Sequence, residues 1–111
     1  MRIVFDLDGT LCYGGPPYEN CIPKCEAADA LQALKEQGHT IVIHTARGMG
    51  RSAGNPGQAT ATIGALTVAQ LRDWGFVYDE LLFGKPAGDW YVDDKSVTTL
   101  AGLLKTLEFH E

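Results

Sequence analysis

The sequence predicts an α/β fold: a parallel sheet between helices, in three α/β/α layers. Two patterns point there. Short apolar runs rich in β-branched residues alternate with segments of helical periodicity. Those runs lack polar alternation, as strands covered on both faces do. A third observation agrees: residues able to do chemistry stand just after the strand-like runs, where an open parallel sheet binds its ligands.

Taken in order, residues 2–5 (Arg2-Ile3-Val4-Phe5) form the first strand. Residues 12–24 read as a loop, broken by Gly14-Gly15-Pro16-Pro17. Ala27, Ala30, Leu31 and Leu34 then recur at helical spacing, and Gly38 stops that helix. Residues 39–45 are a second strand. Residues 46–58 carry four glycines, a proline and two arginines, and read as a long polar loop. A helix is expected over residues 60–74, weakened by Gly64 and ended by Gly75. Residues 80–83 and 90–93 are two further short strands. Val97, Leu100, Ala101, Leu104 and Leu107 give an amphipathic last helix. This succession is Rossmann-like, and residues 1–111 read as one domain without internal repeats.

Composition narrows the function. The chain has 111 residues, is 45% hydrophobic and 21% charged, and carries a net charge of −5. That balance suits a globular protein and argues against nucleic acid as partner, which needs clustered Lys and Arg. No run of about 18 apolar residues is present, so no membrane span is expected. No signal peptide precedes the first strand, which reads as a cytoplasmic protein. The three cysteines, Cys12, Cys21 and Cys25, are an odd number and are expected to be reduced thiols. A zinc site built from them is a weaker reading, because paired C-x-x-C spacing is missing.

The polar residues at the strand ends form one constellation. Asp6-Leu7-Asp8 ends the first strand and Thr45 the second; Lys85 follows the third, and Asp93-Asp94 end the fourth. In extended chain, alternate residues share a face, so Asp6 and Asp8 can serve one spot. Several carboxylates in a partly dry crevice call for a cation. Lys85 offsets one charge. A hard divalent ion offsets two more, and Mg2+ fits an oxygen-rich set that also faces a phosphate. Gly9 permits a turn after Asp8, where the hydroxyl and backbone N–H of Thr10 can meet phosphate oxygens.

At these residues the chain resembles the haloacid dehalogenase-like superfamily of phosphohydrolases. The family's first motif stands complete as Asp6-Leu7-Asp8-Gly9-Thr10-Leu11. Its second matches Ile41-Val42-Ile43-His44-Thr45, its third Lys85, and its fourth Trp90-Tyr91-Val92-Asp93-Asp94. The resemblance implies that Asp6 is the nucleophile that becomes an aspartyl phosphate. It implies that Asp8 is the general acid and base, and that Thr45 and Lys85 hold phosphoryl oxygens. Mg2+ would be bound by Asp6, the backbone carbonyl of Asp8, and Asp94, with Asp93 orienting Lys85 or a metal-bound water.

Most relatives insert a cap domain after the first motif or between the second and third. Both insertion points are short here, so the resemblance implies a capless enzyme; such members either take large substrates or have a neighbouring subunit close the site, and closure within a homo-oligomer is the expectation here. The stretches Thr45-Ala46-Arg47-Gly48-Met49, Gly54-Asn55, Tyr78-Asp79-Glu80 with Phe83-Gly84-Lys85-Pro86, and Tyr91-Val92-Asp93-Asp94 resemble small phosphatases associated with capsular polysaccharide biosynthesis. That implies a small phosphorylated substrate, a sugar phosphate or a nucleotide-sugar-related compound.

Gly9, Thr10, Ala46, Arg47, Arg51 and Asn55 are the candidate substrate-binding residues; the two arginines offer donor forks to phosphate or sugar oxygens. Tyr13, Tyr18 and Trp90 are candidates for a substrate mouth. Strand alternation turns His44 away from the site, and His39 and His110 read as surface residues. Two other functions fit less well. A receiver-type signalling domain also gathers acids, Thr and Lys around Mg2+, but places its acid pair early in the chain. A phosphoprotein phosphatase would suit an open site.

Overall fold

The computed structural model describes residues 1–48, 56–84 and 90–92. The chain runs β1 (Arg2–Asp6), β2 (Cys12–Tyr13), a 3-10 turn (Tyr18–Asn20), β3 (Ile22–Pro23), α1 (Ala27–Glu36), β4 (Thr40–Thr45), α2 (Pro56–Asp73), β5 (Glu80–Phe83) and β6 (Trp90–Val92). Among the described residues, four strands form one sheet in the order β5-β4-β1-β6. Every pairing in it is parallel. The expected last helix, residues 97–107, lies outside the described residues.

The register follows from the apolar triplets. Ile3, Val4 and Phe5 pair with Ile41, Val42 and Ile43, and all six side chains are fully buried. Ile3, Phe5, Ile41 and Ile43 join the core cluster with Ala27, Leu31 and Leu34 of α1 and Leu71 of α2. Val4 and Val42 alternate to the opposite face and are buried just as completely. The sheet is therefore covered on both sides, as its unbroken apolar runs predict.

α1 and α2 close in the same manner. Gly38 has φ 90, its N–H donates to the Lys35 carbonyl, and the His39 N–H donates to Leu34. This satisfies carbonyls the helix leaves open, in a conformation glycine adopts without Cβ strain. At the end of α2 the N–H groups of Gly75 and Phe76 bond Arg72 and Leu71 in the same way. Asp79 then fastens the edge of the sheet. Its carboxylate accepts the Ile41 N–H and the Lys35 ammonium, each at 2.7 Å, and its own N–H donates to the Ile41 carbonyl at 2.8 Å. Lys35 holds the Asp79 carboxyl below its ordinary value, with the Ile41 N–H adding to the effect.

Three expectations need correction. Residues 12–24 are not simply loop: β2 and β3 pair as a two-stranded antiparallel ribbon, Cys12 with Pro23 and Tyr13 with Ile22. Strands of two residues are too short to show a period. α2 begins at Pro56 rather than at residue 60, because proline in a first helical turn costs no hydrogen bond. His39 is 2% exposed, not on the surface, and its Nδ1 lies 3.2 Å from the Met1 amino nitrogen. Among the described residues, no helix is long and apolar enough to cross a membrane.

Candidate active site

β1 lies between β4 and β6, and the chain leaves it in a tight turn. The Leu7 N–H donates to the His44 carbonyl at 3.0 Å, which prolongs the β1–β4 pairing past Asp6. The Leu7 carbonyl then accepts both Leu11 and Cys12 N–H, at 2.9 and 3.2 Å, and the Gly9 N–H returns to the Cys12 carbonyl at 2.9 Å. Gly9 has φ 92, a left-handed conformation that explains a glycine there. Leu7 and Leu11 are fully buried and anchor the turn in the core. Asp6 and Asp8 remain half-buried at its rim.

Thr45 ends β4 beside this turn, with no exposed surface. Its hydroxyl donates to Asp8 Oδ2 at 2.8 Å and accepts the Arg47 N–H at 3.1 Å. Thr45 also pairs with Phe83 at the end of β5, and the Gly84 N–H donates to the Thr45 carbonyl at 3.2 Å. On the other side, Phe5 pairs with Val92. The carboxyl ends of β5, β4, β1 and β6 thus stand side by side. Lys85, Arg51, Asn55, Asp93 and Asp94, the other candidates, lie outside the described residues.

Arg47 differs from expectation. A donor fork reaching out to substrate would be exposed, yet this side chain is fully buried. It turns inward onto Asp8, with Nη2 2.9 Å from Oδ1 and Nε 3.0 Å from the same oxygen. Nη1 donates to Thr67 Oγ1 at 3.3 Å and to Gln70 Oε1. The Tyr18 ring lies 4.7 Å from the guanidinium carbon, within cation–π range. Gln70 Nε2 in turn donates to the Tyr18 carbonyl at 2.7 Å. Sequence reading missed Thr67, Gln70 and this role of Tyr18. A signal existed: Gly64, Thr67, Gln70 and Leu71 form the buried face of α2, and two polar residues three apart on a buried face need a polar partner.

Thr10 is 6% exposed, and its hydroxyl has no hydrogen-bond partner among the described residues. An orphaned buried hydroxyl in the turn that carries Asp8 fits a site meant for a polar guest. Ala46 and Gly48 follow Thr45 and line a cavity of about 400 Å³, closed by Pro16, Pro17 and Tyr18 on one side and Thr62 and Ile63 of α2 on the other. Tyr18 therefore does border a recess beside the site. Tyr13 points elsewhere, 54% exposed beneath the Lys24 ammonium.

The cysteines do not form a three-thiol site. Cys25 is exposed and bonds Glu26 at 3.2 Å. Cys12 and Cys21 are buried, and their sulfurs gather with an Asp8 oxygen, all within 4.8 Å of one another. Burial pushes the Cys12 thiol up to about 12, and the Asp8 charge beside it acts in the same direction. It is a neutral packing group in a soft pocket behind the acid.

A family model described as haloacid dehalogenase-like hydrolase matches residues 3–55, which include Asp6, Asp8 and Thr45. A crystallised MCSG target protein from Vibrio cholerae is 30% identical, with a TM-score of 0.73 over 99% of this chain and 98% of its own. The D,D-heptose 1,7-bisphosphate phosphatase of B. bronchiseptica, solved with magnesium and phosphate, is 18% identical with a TM-score of 0.49, over 98% of this chain and 62% of its own. A chain of the Pnkp1/Rnl/Hen1 RNA repair complex is 20% identical with a TM-score of 0.50, over 99% of this chain and 32% of its own. No curated protein matches the sequence.

Proposed function

The chain belongs to the haloacid dehalogenase-like hydrolases, and within that family we propose that it is a Mg2+-dependent phosphatase of a small phosphorylated metabolite, a sugar phosphate. The observation that carries the reading is the turn Asp6-Leu7-Asp8-Gly9-Thr10 at the carboxyl end of β1, with the Thr45 hydroxyl on Asp8. In the first step Asp6 attacks phosphorus, the bond to the leaving oxygen breaks, and Asp8 gives that oxygen its proton. In the second step Asp8 takes a proton from water, the water oxygen attacks the aspartyl phosphate, and Asp6 is released with inorganic phosphate.

The donors suit a hard ion rather than a soft one at the rim: Asp6 and the Asp8 carbonyl offer oxygen, whereas Cys12 and Cys21 are buried behind Asp8. Mg2+ would be held by Asp6, the Asp8 carbonyl and Asp94, and would neutralise charge on the phosphoryl group. Lys85 would hold a phosphoryl oxygen, and Asp93 would orient Lys85. The recess lined by Tyr18, Ala46 and Ile63 would receive the leaving group. Its mixed polar and apolar walls suit a sugar, consistent with a role in surface-polysaccharide synthesis in the cytoplasm. A second copy of the chain closing the open site is part of this proposal.

The test is phosphate release from a panel of sugar phosphates, nucleotides and phosphopeptides. Turnover of a sugar phosphate that stops with EDTA, returns with Mg2+, and falls to background in Asp6→Asn supports the reading. Activity indifferent to chelator or to Asp6→Asn overturns it, and a preference for phosphopeptides replaces the substrate class.

A further inference from the structure

The Asp8 carboxylate is gripped from behind. Arg47 approaches it from the protein interior, with two nitrogens about equally close to Oδ1, while Thr45 fixes Oδ2 from β4. Arg47 is itself held on three sides, by Thr67, by Gln70 and by the face of the Tyr18 ring. A fully buried guanidinium so enclosed has no free fork for a substrate phosphate. A planar fork bonded to a carboxylate fixes its plane as well as its distance.

We propose that Arg47 is a positioning residue: anchored by Thr67, Gln70 and Tyr18, it sets the rotamer of Asp8 so that the carboxyl meets the leaving-group oxygen of a phosphate attacked by Asp6. This rests on the reading of Asp8 as proton donor. It replaces substrate binding by Arg47. It also ties the acid to the recess, since Tyr18 both stacks on Arg47 and lines the cavity that would hold the leaving group. Gln70 completes the link, bonding Arg47 with one end of its amide and the Tyr18 carbonyl with the other.

Proton donation matters for a poor leaving group and hardly at all for a good one. The test compares kcat/KM for an alkyl phosphate (glycerol 2-phosphate) and for 4-nitrophenyl phosphate, because that ratio reports the step in which Asp6 is phosphorylated. Arg47→Met is expected to lower kcat/KM for the alkyl phosphate by about 10²-fold and for the aryl phosphate by less than about threefold. Gln70→Leu, which leaves Arg47 and Asp8 in place, is expected to give the same split at smaller amplitude and keeps the test open if Arg47→Met does not fold. Equal losses on both substrates with a raised KM would assign Arg47 to phosphate binding and overturn the proposal. Unchanged selectivity in both variants would reduce the network to a structural role and overturn it too. Asp8→Asn is the control: if it fails to show the split, the proton-donor reading fails and the proposal falls with it, whereas a split in Asp8→Asn without one in the Arg47 and Gln70 variants overturns the positioning alone.

Discussion

The Thr45 hydroxyl spends its only proton on Asp8, at 2.8 Å, and uses a lone pair to hold the Arg47 N–H, at 3.1 Å. One small side chain thus joins the ends of β1 and β4 and the loop beyond. Thr45→Val keeps the shape but leaves a buried N–H and a carboxylate oxygen each short of a bond. A hydrogen bond to a charged group contributes about 1.5–3 kcal/mol. Phosphate release by Thr45→Val is expected to fall by about 10- to 100-fold in kcat/KM, with Thr45→Ser retaining most of it. Wild-type rates in the valine variant would remove Thr45 from the site.

The Asp79 clamp predicts how acid acts on the fold. Its carboxyl is held below the ordinary value of 3.8 in the folded protein, chiefly by Lys35. The folded state therefore binds this proton less readily than the unfolded chain. Its contribution is present above the unfolded value and is lost as pH falls through the folded one. The clamp is substantially exposed, so it is worth only about 0.5–1 kcal/mol. Asp79→Asn is expected to lower Tm by a few degrees at neutral pH. The difference from wild type should shrink as pH drops below about 4, followed by thermal melts across pH. A constant difference down to pH 2 would contradict the assignment.

Thiol chemistry separates the three cysteines. Cys25 is exposed, whereas Cys12 and Cys21 are buried. Iodoacetamide followed by peptide mass mapping is expected to label Cys25 first in the native protein and all three in denaturant. Rapid native labelling of Cys12 would mean that the ribbon of β2 and β3 opens readily.

Gly38 provides a test of backbone strain without packing change. It has φ 90, and a Cβ placed there meets nothing within 4 Å. Gly38→Ala is expected to cost about 1 kcal/mol through the left-handed conformation alone, a Tm loss of about 4 °C in a chain of this size. No change in Tm would mean that the turn relaxes to another conformation.

What the sequence made legible was whatever a short window can encode. Ile3-Val4-Phe5 and Ile41-Val42-Ile43 announce buried strands because three consecutive apolar β-formers leave few other options. Asp6, Asp8 and Thr45 were placed by the rule that parallel sheets present their chemistry at carboxyl ends, and all three stand there. The inward turn of Arg47 was not legible, because the same polar side chain in a glycine-rich segment can turn outward or inward. The decision is made by Thr67 and Gln70, twenty and more residues away. His39 was misread for a similar reason, since a histidine carries no local mark of burial.

Two of the described strands, β4 and β1, have a neighbour on each side, and β1 takes one of its own from far along the chain. β1 bonds β4 on one side and β6 on the other, with Ile3 opposite both Ile41 and Trp90. A ribosome-bound chain that has released only its first half can pair β1 on one edge alone. Among the described residues, the second edge of β1 is filled only when Trp90-Tyr91-Val92 arrives, a pairing that closes a loop over nearly the whole described chain. Until then the apolar edge of β1 stands open to other strands, which places the risk of aggregation during synthesis rather than in the finished molecule.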